Sequence, residues 1–484
     1  MTLTNIFPRI IYKFVKLSGI VAATTFFLFA CGQSMSHASE SFKISADVTD
    51  ITTHSNNLDV KEPSVFFKQI MNAAPILPKD IKNRDLSCGD VNNMTTPQRF
   101  FRPETQTNFK ENYWDTRITR NWAFFDIPKS DGKILVIDFK QAGETLGYRY
   151  LANDKTQTDI YEPWSSAKIQ AFTGAVAQVR KMNSLVGAEA KIGDTLIADM
   201  ITSIHRYSSS GSADNDSNAL ANFFSNTAGR DYLSSLIFDE WLKFADQNVF
   251  FRGAFGADSF VPSNTLWSAL MPPSKAELPS APSVNINLLE SNSDDPGYLN
   301  YTCEQCGNTG NKPMSTLVQA EWLKRLATHE RSKQTQHPEL KSEDIQVLFY
   351  GNSISTNVIP VGGMMQGVSN MLQIAIANAM SNQDVGKHIT SATKAKQILD
   401  QNTQGKWRVF QKIGWGASDT RKSSENVVLA HVCLPHYQGG REFTVAAQTA
   451  IDGNSDESIS IAGMQMQINL NKAMKSLLNH PSTL

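Results

Sequence analysis

The sequence has almost no net charge, because 45 Lys and Arg residues stand against 46 Asp and Glu residues in a chain of 484. Local basic clusters are absent as well, which argues against the basic surface that nucleic-acid-binding proteins need. A phosphate-binding loop of the Gly-Lys-Ser/Thr type is also missing. Hydrophobic residues make up 41% of the chain, enough for a substantial core. We therefore expect a globular protein that binds no nucleic acid, and nothing in the sequence implies a cofactor.

The sequence has no apolar run long enough to be a confident membrane span. Its first residues instead predict an export signal, with basic residues at positions 9, 13 and 16 followed by the apolar segment 17–30. The segment ends in Leu-Phe-Ala-Cys-Gly around Cys31, which resembles the bacterial lipoprotein box, whose cysteine becomes lipidated. Ordinary cleavage near 36–38 is the alternative. Both predict a protein of the cell envelope or periplasm, and a lipid on Cys31 would hold it at a membrane surface.

The composition divides the rest of the chain into a spacer and a globular part. Residues 32–115 begin with a stretch rich in Ser, Thr, Asn and Asp and are predicted to be a tether and N-terminal extension. Residues 116–484 are predicted to form one domain. Its proline-rich stretch at about 255–312 is predicted to be an irregular insertion.

Cysteine is scarce, with five residues in the whole chain. With Cys31 lipidated, the four others allow three disulfide pairings in an oxidising compartment: Cys88, Cys303, Cys306 and Cys433. The Cys303 and Cys306 pair lies in a polar loop, which favours a loop-closing disulfide over a redox or zinc site. Cys433 follows His431 in an alternating strand pattern, and this pattern indicates packing rather than metal binding.

A serine and a lysine three residues apart, Ser165 and Lys168, follow the helix-breaking Pro163 and precede a predicted amphipathic helix at 171–180. Residues at i and i+3 share one helix face, so the amine can reach the hydroxyl. A lysine with a lowered pKa can take the serine proton, and the positive end of the helix dipole favours the resulting alkoxide. The pair is therefore a candidate nucleophile and base.

Two later segments carry polar residues that could complete a site around Ser165 and Lys168. Asp216, Ser217 and Asn218 end a polar loop before a predicted helix. Lys412, Ile413 and Gly414 lie in the first strand of a predicted C-terminal β-meander.

In this order, the three segments resemble the S-x-x-K, S-D-N and K-T-G motifs of the penicillin-recognising serine hydrolases, and within them the class A β-lactamase-like branch. The resemblance covers about 120–484. It implies an α+β fold of the β-lactamase/transpeptidase type, in which an antiparallel sheet is flanked by helices and accompanied by an all-helical lobe. It also implies that Ser165 forms an acyl-enzyme and that Lys168 accepts its proton.

The same resemblance implies the other site roles. Ser217 would serve as the proton shuttle of the second motif, and Asn218 would hydrogen-bond the substrate amide. Lys412 would bind a substrate carboxylate, on a strand that passes the site at Gly414. The oxyanion hole would combine the N–H groups of Ser165 and Trp415. Arg421 would help to bind the carboxylate.

Three departures from the family pattern concern the chemistry. Asp216 stands where the shuttle serine belongs, so Ser217 is one residue late, and Ser208 or Ser212 could take its place. Ile413 replaces a residue with a hydroxyl group. The carboxylate motif that activates the deacylating water is not found, although two glutamates lie in the right region, Glu277 and Glu290. We therefore expect acylation with slow deacylation.

The sequence thus predicts an acyl-transfer serine hydrolase that acts on a β-lactam or on the D-Ala-D-Ala-like end of a peptidoglycan stem peptide. Two alternatives remain open at this stage. One is a non-catalytic cell-envelope protein that keeps the fold to bind peptidoglycan or a partner, and the other is an esterase on the same scaffold. The oligomeric state is not predicted.

Overall fold

The computed structural model describes residues 62–81, 88, 101–142, 145–246, 248–251, 255–270, 280–287, 312–351, 361–381, 391–418 and 421–479. The predicted signal segment with Cys31, the tether up to residue 61, and the loop with Cys303 and Cys306 lie outside these residues. Glu277 and Glu290 lie outside them as well. None of the described helices is both long and apolar enough to cross a bilayer.

The described chain alternates between strands and helices. The helices are α1 (Pro63–Phe66), α2 (Lys168–Met182), α3 (Ile197–Arg206), α4 (Ser217–Ala228), α5 (Arg230–Ser235), α6 (Thr316–Ala327), α7 (Ser342–Tyr350), α8 (Met371–Met380), α9 (Ala392–Thr403) and α10 (Asp456–Asn479). The strands are β1 (Arg102–Pro103), β2 (Thr119–Phe125), β3 (Lys133–Ala142), β4 (Thr145–Asn153), β5 (Ala190–Ile192), β6 (Thr195–Leu196), β7 (Leu266–Ala269), β8 (Ser283–Asn285), β9 (Arg408–Ser418), β10 (Ser423–Leu434) and β11 (Arg441–Asp452).

The main sheet has the strand order β1-β4-β3-β11-β10-β9, and β2 pairs in parallel with β4. The other pairings along this sheet are antiparallel. The predicted C-terminal meander is therefore confirmed, and in it Val428 stands opposite both Ala447 and Ile413. Among the described strands, β9 lies at the edge of the sheet and has β10 as its one neighbour.

Helices cover both faces of this sheet. Successive side chains of a strand point to opposite faces, so each strand contributes to two cores. Val136 and Val428 face a core that includes residues of α8 and α10. Leu135 and Leu429 face the opposite core, which includes residues of α2 and α6. Both faces of β3 and β10 are therefore buried, which agrees with their continuous apolar runs at 134–137 and 427–430 and produces the predicted α+β arrangement of an antiparallel sheet flanked by helices.

The lobe that carries α2 to α5 was predicted to be all-helical, and in the structure it also contains a small antiparallel sheet. Its strand order is β6-β5-β7-β8. Strands β7 and β8 come from the stretch at 255–312 that was predicted to be an irregular insertion. Trp267 on β7 is fully buried and donates a hydrogen bond to the Gly187 carbonyl at 2.9 Å. The described parts of this stretch thus belong to the lobe.

The described parts of the N-terminal extension pack into the core. Phe66 and Met71 are buried beside residues of α10, and Trp114 is fully buried in the core on the other face. Cys88 forms a disulfide with Cys433 on β10, across 345 residues of sequence. This is one of the three pairings that the sequence left open.

Candidate active site

Ser165 lies in a single 3-10 turn, Trp164–Ala167, which leads directly into α2 at Lys168. Trp164 has a φ of +51°, a left-handed conformation that is uncommon for a residue other than glycine. Its indole N–H donates to Glu425 of β10 at 2.6 Å. This long-range hydrogen bond holds the residue before Ser165 in place, and so fixes the position of the serine relative to the sheet.

Lys168 is fully buried and joins the first motif to the second. Its Nζ donates to Ser217 Oγ at 2.6 Å and to Asn218 Oδ1 at 2.6 Å. Burial lowers the pKa of Lys168 to about 7, while Asp216 opposes the shift and the Lys312 ammonium adds to it. A substantial fraction of the amine is therefore neutral, and able to accept a proton, near neutral pH.

The second motif owes its orientation to the start of α4. Asp216 is the N-cap residue, and its carboxylate accepts a hydrogen bond from the Asn218 N–H at 2.7 Å. The cap uses the residue at the expected serine position and places the next one, Ser217, against Lys168. Ser212 instead donates to Asp199 at 2.8 Å, and Ser208 is exposed. The structure thus brings Ser217, and not these two alternatives, to the lysine.

Strand β9 passes immediately beside the serine turn. A Cβ added at Gly414 would lie 2.7 Å from the Ser165 backbone nitrogen and 2.9 Å from the Pro163 carbonyl oxygen. At Gly416, a Cβ would meet the Trp164 ring at 2.3 Å. Glycine at both positions therefore allows the strand and the turn to approach each other, which any larger residue would prevent.

The outer edge of β9 presents Trp415 to this turn. The Tyr207 hydroxyl donates to the Ile413 carbonyl at 2.7 Å, so this carbonyl points away from β10. Backbone groups of an antiparallel strand alternate between its two edges, and residues two apart share an edge. The Trp415 N–H consequently points to the same outer edge as the Ile413 carbonyl. This is the side on which the predicted oxyanion hole requires it.

Lys412 lies in the same pocket as the first motif. The ring of Tyr207, at the end of α3, is 3.6 Å from Lys412 Nζ and 5.5 Å from Lys168 Nζ. Lys412 is fully buried, and its Nζ has no hydrogen-bond partner among the described residues. Burial, with Lys168 nearby, holds the pKa of Lys412 well below its ordinary value. Burial raises the pKa of the Tyr207 hydroxyl, and the nearby Ser165 opposes this rise.

Arg421, predicted to help bind a substrate carboxylate, has other partners in the structure. Its guanidinium donates to Glu425 at 2.9 and 3.0 Å and lies 5.8 Å from the centre of the Trp164 ring. The carboxylate of Glu425 thereby offsets its charge. In this arrangement Arg421 supports the turn that carries Ser165, and its role in binding a carboxylate stays a prediction.

Sequence reasoning missed Phe255, which closes the pocket behind Lys168. The side chain of Asn222 accepts from the Phe255 N–H at 2.8 Å and donates to the Phe255 and Ala257 carbonyls at 2.6 Å each. This clamp places the phenyl ring 5.4 Å from Lys168 Nζ and 4.7 Å from Lys312 Nζ. Asn222 lies four residues after Asn218, but its contact with Phe255 is a tertiary one that the sequence does not reveal.

The nearest buried carboxylate on the serine segment is Glu162. It lies three residues before Ser165 and pairs with the Lys312 ammonium at 3.2 Å. Its charge is thus engaged by a cation. The side chain that Asn222 holds next to Lys168 is the phenyl ring of Phe255, and a hydrocarbon ring cannot activate water.

One buried group of four side chains has the ligand types for a metal ion: Cys88, His431, Cys433 and Glu442. Its four ligand atoms lie within 4.8 Å of one another. The two sulfur atoms are joined to each other, however, and both thiolate ligands are therefore unavailable while the disulfide is intact. His431 Nε2 lies 3.2 Å from Glu442, which also pairs with Arg331. The sequence had indicated packing for His431 and Cys433, and both residues are fully buried.

No protein-family model and no curated protein sequence matches this chain. Solved structures that resemble it include the C-terminal domain of the Bacillus licheniformis BlaR penicillin-receptor, with 11% identity, a TM-score of 0.31, and coverage of 74% of this chain and 95% of that one. PBP-A has 12% identity and a TM-score of 0.34, over 70% and 89% of the two chains. A β-lactamase from Burkholderia phymatum has 12% identity and a TM-score of 0.34, over 72% and 94%. At these values nothing about the chemistry of this chain follows from the likeness.

Proposed function

We propose that this protein is a serine hydrolase, related to β-lactamases and penicillin-binding proteins, that transfers an acyl group through an acyl-enzyme on Ser165. The observation that carries the proposal is the buried amine of Lys168, which is one helical turn from Ser165 and hydrogen-bonded to both Ser217 and Asn218. A serine becomes a good nucleophile when a positioned neighbour takes its proton, and this arrangement supplies that neighbour.

The acylation step follows from these positions. Ser165 Oγ attacks the substrate carbonyl while its proton passes to Lys168, directly or through Ser217, and then to the leaving group. The oxyanion that forms would accept hydrogen bonds from the N–H groups of Ser165 and Trp415, which lie where β9 passes the serine turn. Each such donor typically contributes about 10²–10³ in rate.

Deacylation is expected to be slow in this site. Hydrolysis of the ester on Ser165 needs a base beside the incoming water. The residue that Asn222 holds next to Lys168 is Phe255, and Glu162 is paired with Lys312. We therefore propose that the acyl-enzyme accumulates, which would make the protein a slow hydrolase or an acyl-trapping receptor.

Two substrate types fit this step at the level of the reacting carbonyl. A β-lactam or a D-Ala-D-Ala-like amide carries a carboxylate near the scissile bond, for which Lys412 is the nearby cation. An ester substrate needs no such group. Asn218 would hydrogen-bond the acyl-side amide in the first case, and the second corresponds to the esterase alternative.

We also propose that the protein is exported and anchored by a lipid on Cys31. The support is the basic start, the apolar segment 17–30 and the small residue before the cysteine. Metabolic labelling with a fatty-acid analogue in a bacterial host tests the proposal. Labelling of the full chain that disappears in Cys31→Ser is expected. Equal labelling of both chains, or no labelling of either, would contradict it.

A serine-directed fluorophosphonate probe tests the acyl-transfer proposal without assuming a substrate. We expect the purified protein to be labelled and Ser165→Ala to be unlabelled. The matched control is Ser166→Ala, because Ser166 donates to the Pro163 carbonyl and accepts from Gln319. That variant should keep its label. Undiminished labelling of a folded Ser165→Ala protein, or no labelling of the wild type, would overturn the proposal and favour a binding protein without catalysis.

A further inference from the structure

The ring of Tyr207 covers the ammonium group that a substrate carboxylate would have to reach. Its centre is 3.6 Å from Lys412 Nζ, and its hydroxyl donates to the Ile413 carbonyl at 2.7 Å. The same ring packs on the indole of Trp415 at 4.9 Å. Tyr207 is therefore held at three points along β9, and its half-buried side chain fills the space beside Lys412.

A carboxylate bound to a lysine needs an N···O distance of about 2.7–2.9 Å. With an aromatic ring 3.6 Å from Lys412 Nζ and the lysine fully buried, no carboxylate can reach this distance unless Tyr207 moves. Moving it would break a cation–π contact and a partly buried hydrogen bond. Together these would lower the population of the open site by about 10- to 300-fold.

Residue 413 and Arg421, the other positions that could bind a carboxylate, do not replace the covered Lys412. Residue 413 is isoleucine, which has no hydroxyl to donate. Arg421 makes two hydrogen bonds with Glu425 and lies over the Trp164 ring. Lys412 is thus covered by the Tyr207 ring, residue 413 is apolar, and Arg421 is paired with the Glu425 carboxylate.

We propose that Tyr207 is a specificity-determining residue and that the preferred substrates are acyl donors without a carboxylate beside the scissile bond, of which neutral esters are the simplest. The inference rests on the proposed acyl transfer at Ser165. In that step the bond from Ser165 Oγ to the acyl carbon forms and the bond from that carbon to the alcohol oxygen breaks. The serine proton passes through Lys168 to the departing alcohol. Water then releases the carboxylic acid and restores the serine.

The test compares two acyl donors on the purified protein. 4-Nitrophenyl butyrate is neutral, and a chromogenic cephalosporin carries the carboxylate. The pre-steady-state acylation rate is measured for both, on wild type and on three variants: Tyr207→Ala, Tyr207→Leu and Tyr207→Phe. The ratio of the two rates is the readout, because a general loss of Ser165 reactivity lowers both rates and leaves their ratio unchanged.

The wild type is expected to react faster with the ester. Removing the ring in Tyr207→Ala should lower the ratio of ester to cephalosporin rates by about tenfold or more, since Lys412 becomes accessible. Tyr207→Leu retains apolar packing on Trp415 without the cation–π contact, and should move the ratio in the same direction. Tyr207→Phe keeps the ring over Lys412 and should stay within about threefold of the wild type.

Two kinds of failure can be told apart with the fluorophosphonate probe. Labelled Ser165 together with a wild-type preference for the cephalosporin would overturn the specificity inference alone. So would a ratio that does not change in the Ala and Leu variants. Absence of labelling in the wild type would remove the acyl-transfer proposal itself, and the inference with it.

Discussion

The buried amine of Lys168 makes a specific prediction about pH. Burial lowers its pKa from 10.5 to about 7. The base in acylation is the neutral amine, so the acylation rate should rise with pH through about 7 and level off above it. Two pH units below the pKa only about 1% of the amine is neutral, so the rate at pH 5 should be about 100-fold below the plateau.

The assay is the rate of Ser165 acylation between pH 5 and 9 under conditions of excess acyl donor. Lys168→Met serves as the control, because it removes the amine while keeping a long side chain. Its residual rate should be low and nearly independent of pH. A wild-type profile that is flat over this range, or whose midpoint lies near the ordinary lysine pKa, would refute the assignment of Lys168 as the base.

The same shift has a consequence for stability. The folded state holds fewer protons at Lys168 than the unfolded state between pH 7 and 10.5. The free energy of unfolding should therefore rise with pH in this window, by up to about 1.4 kcal/mol per unit from this group. Urea unfolding at pH 7 and 9 measures it. Lys168→Met should show a smaller rise, and equal rises in both proteins would contradict burial of the amine.

Three further predictions concern the surroundings of the site. Phe255→Glu should speed deacylation by about 100-fold, because it places a base beside Lys168 and Lys312. The rate of product release after the burst measures this. Phe255→Gln, which has no base, should stay slow. Asn222→Ala should lower the free energy of unfolding by about 2–3 kcal/mol, since it removes three hydrogen bonds and leaves the Phe255 N–H unpaired; urea unfolding checks it, and an unchanged midpoint would argue against the clamp. Cys88→Ser should lower stability by about 2–5 kcal/mol through loss of the disulfide to Cys433. Thermal unfolding measures the loss, and a non-reducing peptide map of the untreated wild type in which Cys88 and Cys433 are not linked would contradict the bond.

Local patterns in the sequence were sufficient for much of the fold. Strands β9, β10 and β11 follow one another in the chain and are separated by short turns, so their pairing follows from neighbouring segments. The short strands β7 and β8 were missed because they lie in a proline-rich stretch and are stabilised by pairing within the lobe, a contact that no local pattern reports.

In the candidate site, too, some positions follow from local sequence and others depend on tertiary contacts. Ser165 and Lys168 are one helical turn apart, so their proximity could be predicted from spacing alone. Tyr207 reaches Lys412 across 205 positions of sequence because α3 ends in a left-handed turn at this residue. Phe255 reaches the pocket through the amide of Asn222, 33 residues earlier. Tyr207 and Phe255 thus reach the site through tertiary contacts, and neither residue belongs to a recognisable sequence motif.

In the proposed reaction Ser165 carries the acyl group. Peptide mass spectrometry after reaction with excess 4-nitrophenyl butyrate, quenched at several times, tests it most directly. We expect a butyryl group on the peptide that contains Ser165, absent in Ser165→Ala and persisting long after the donor is removed. A folded protein whose Ser165 peptide stays unmodified while another residue carries the acyl group would contradict it.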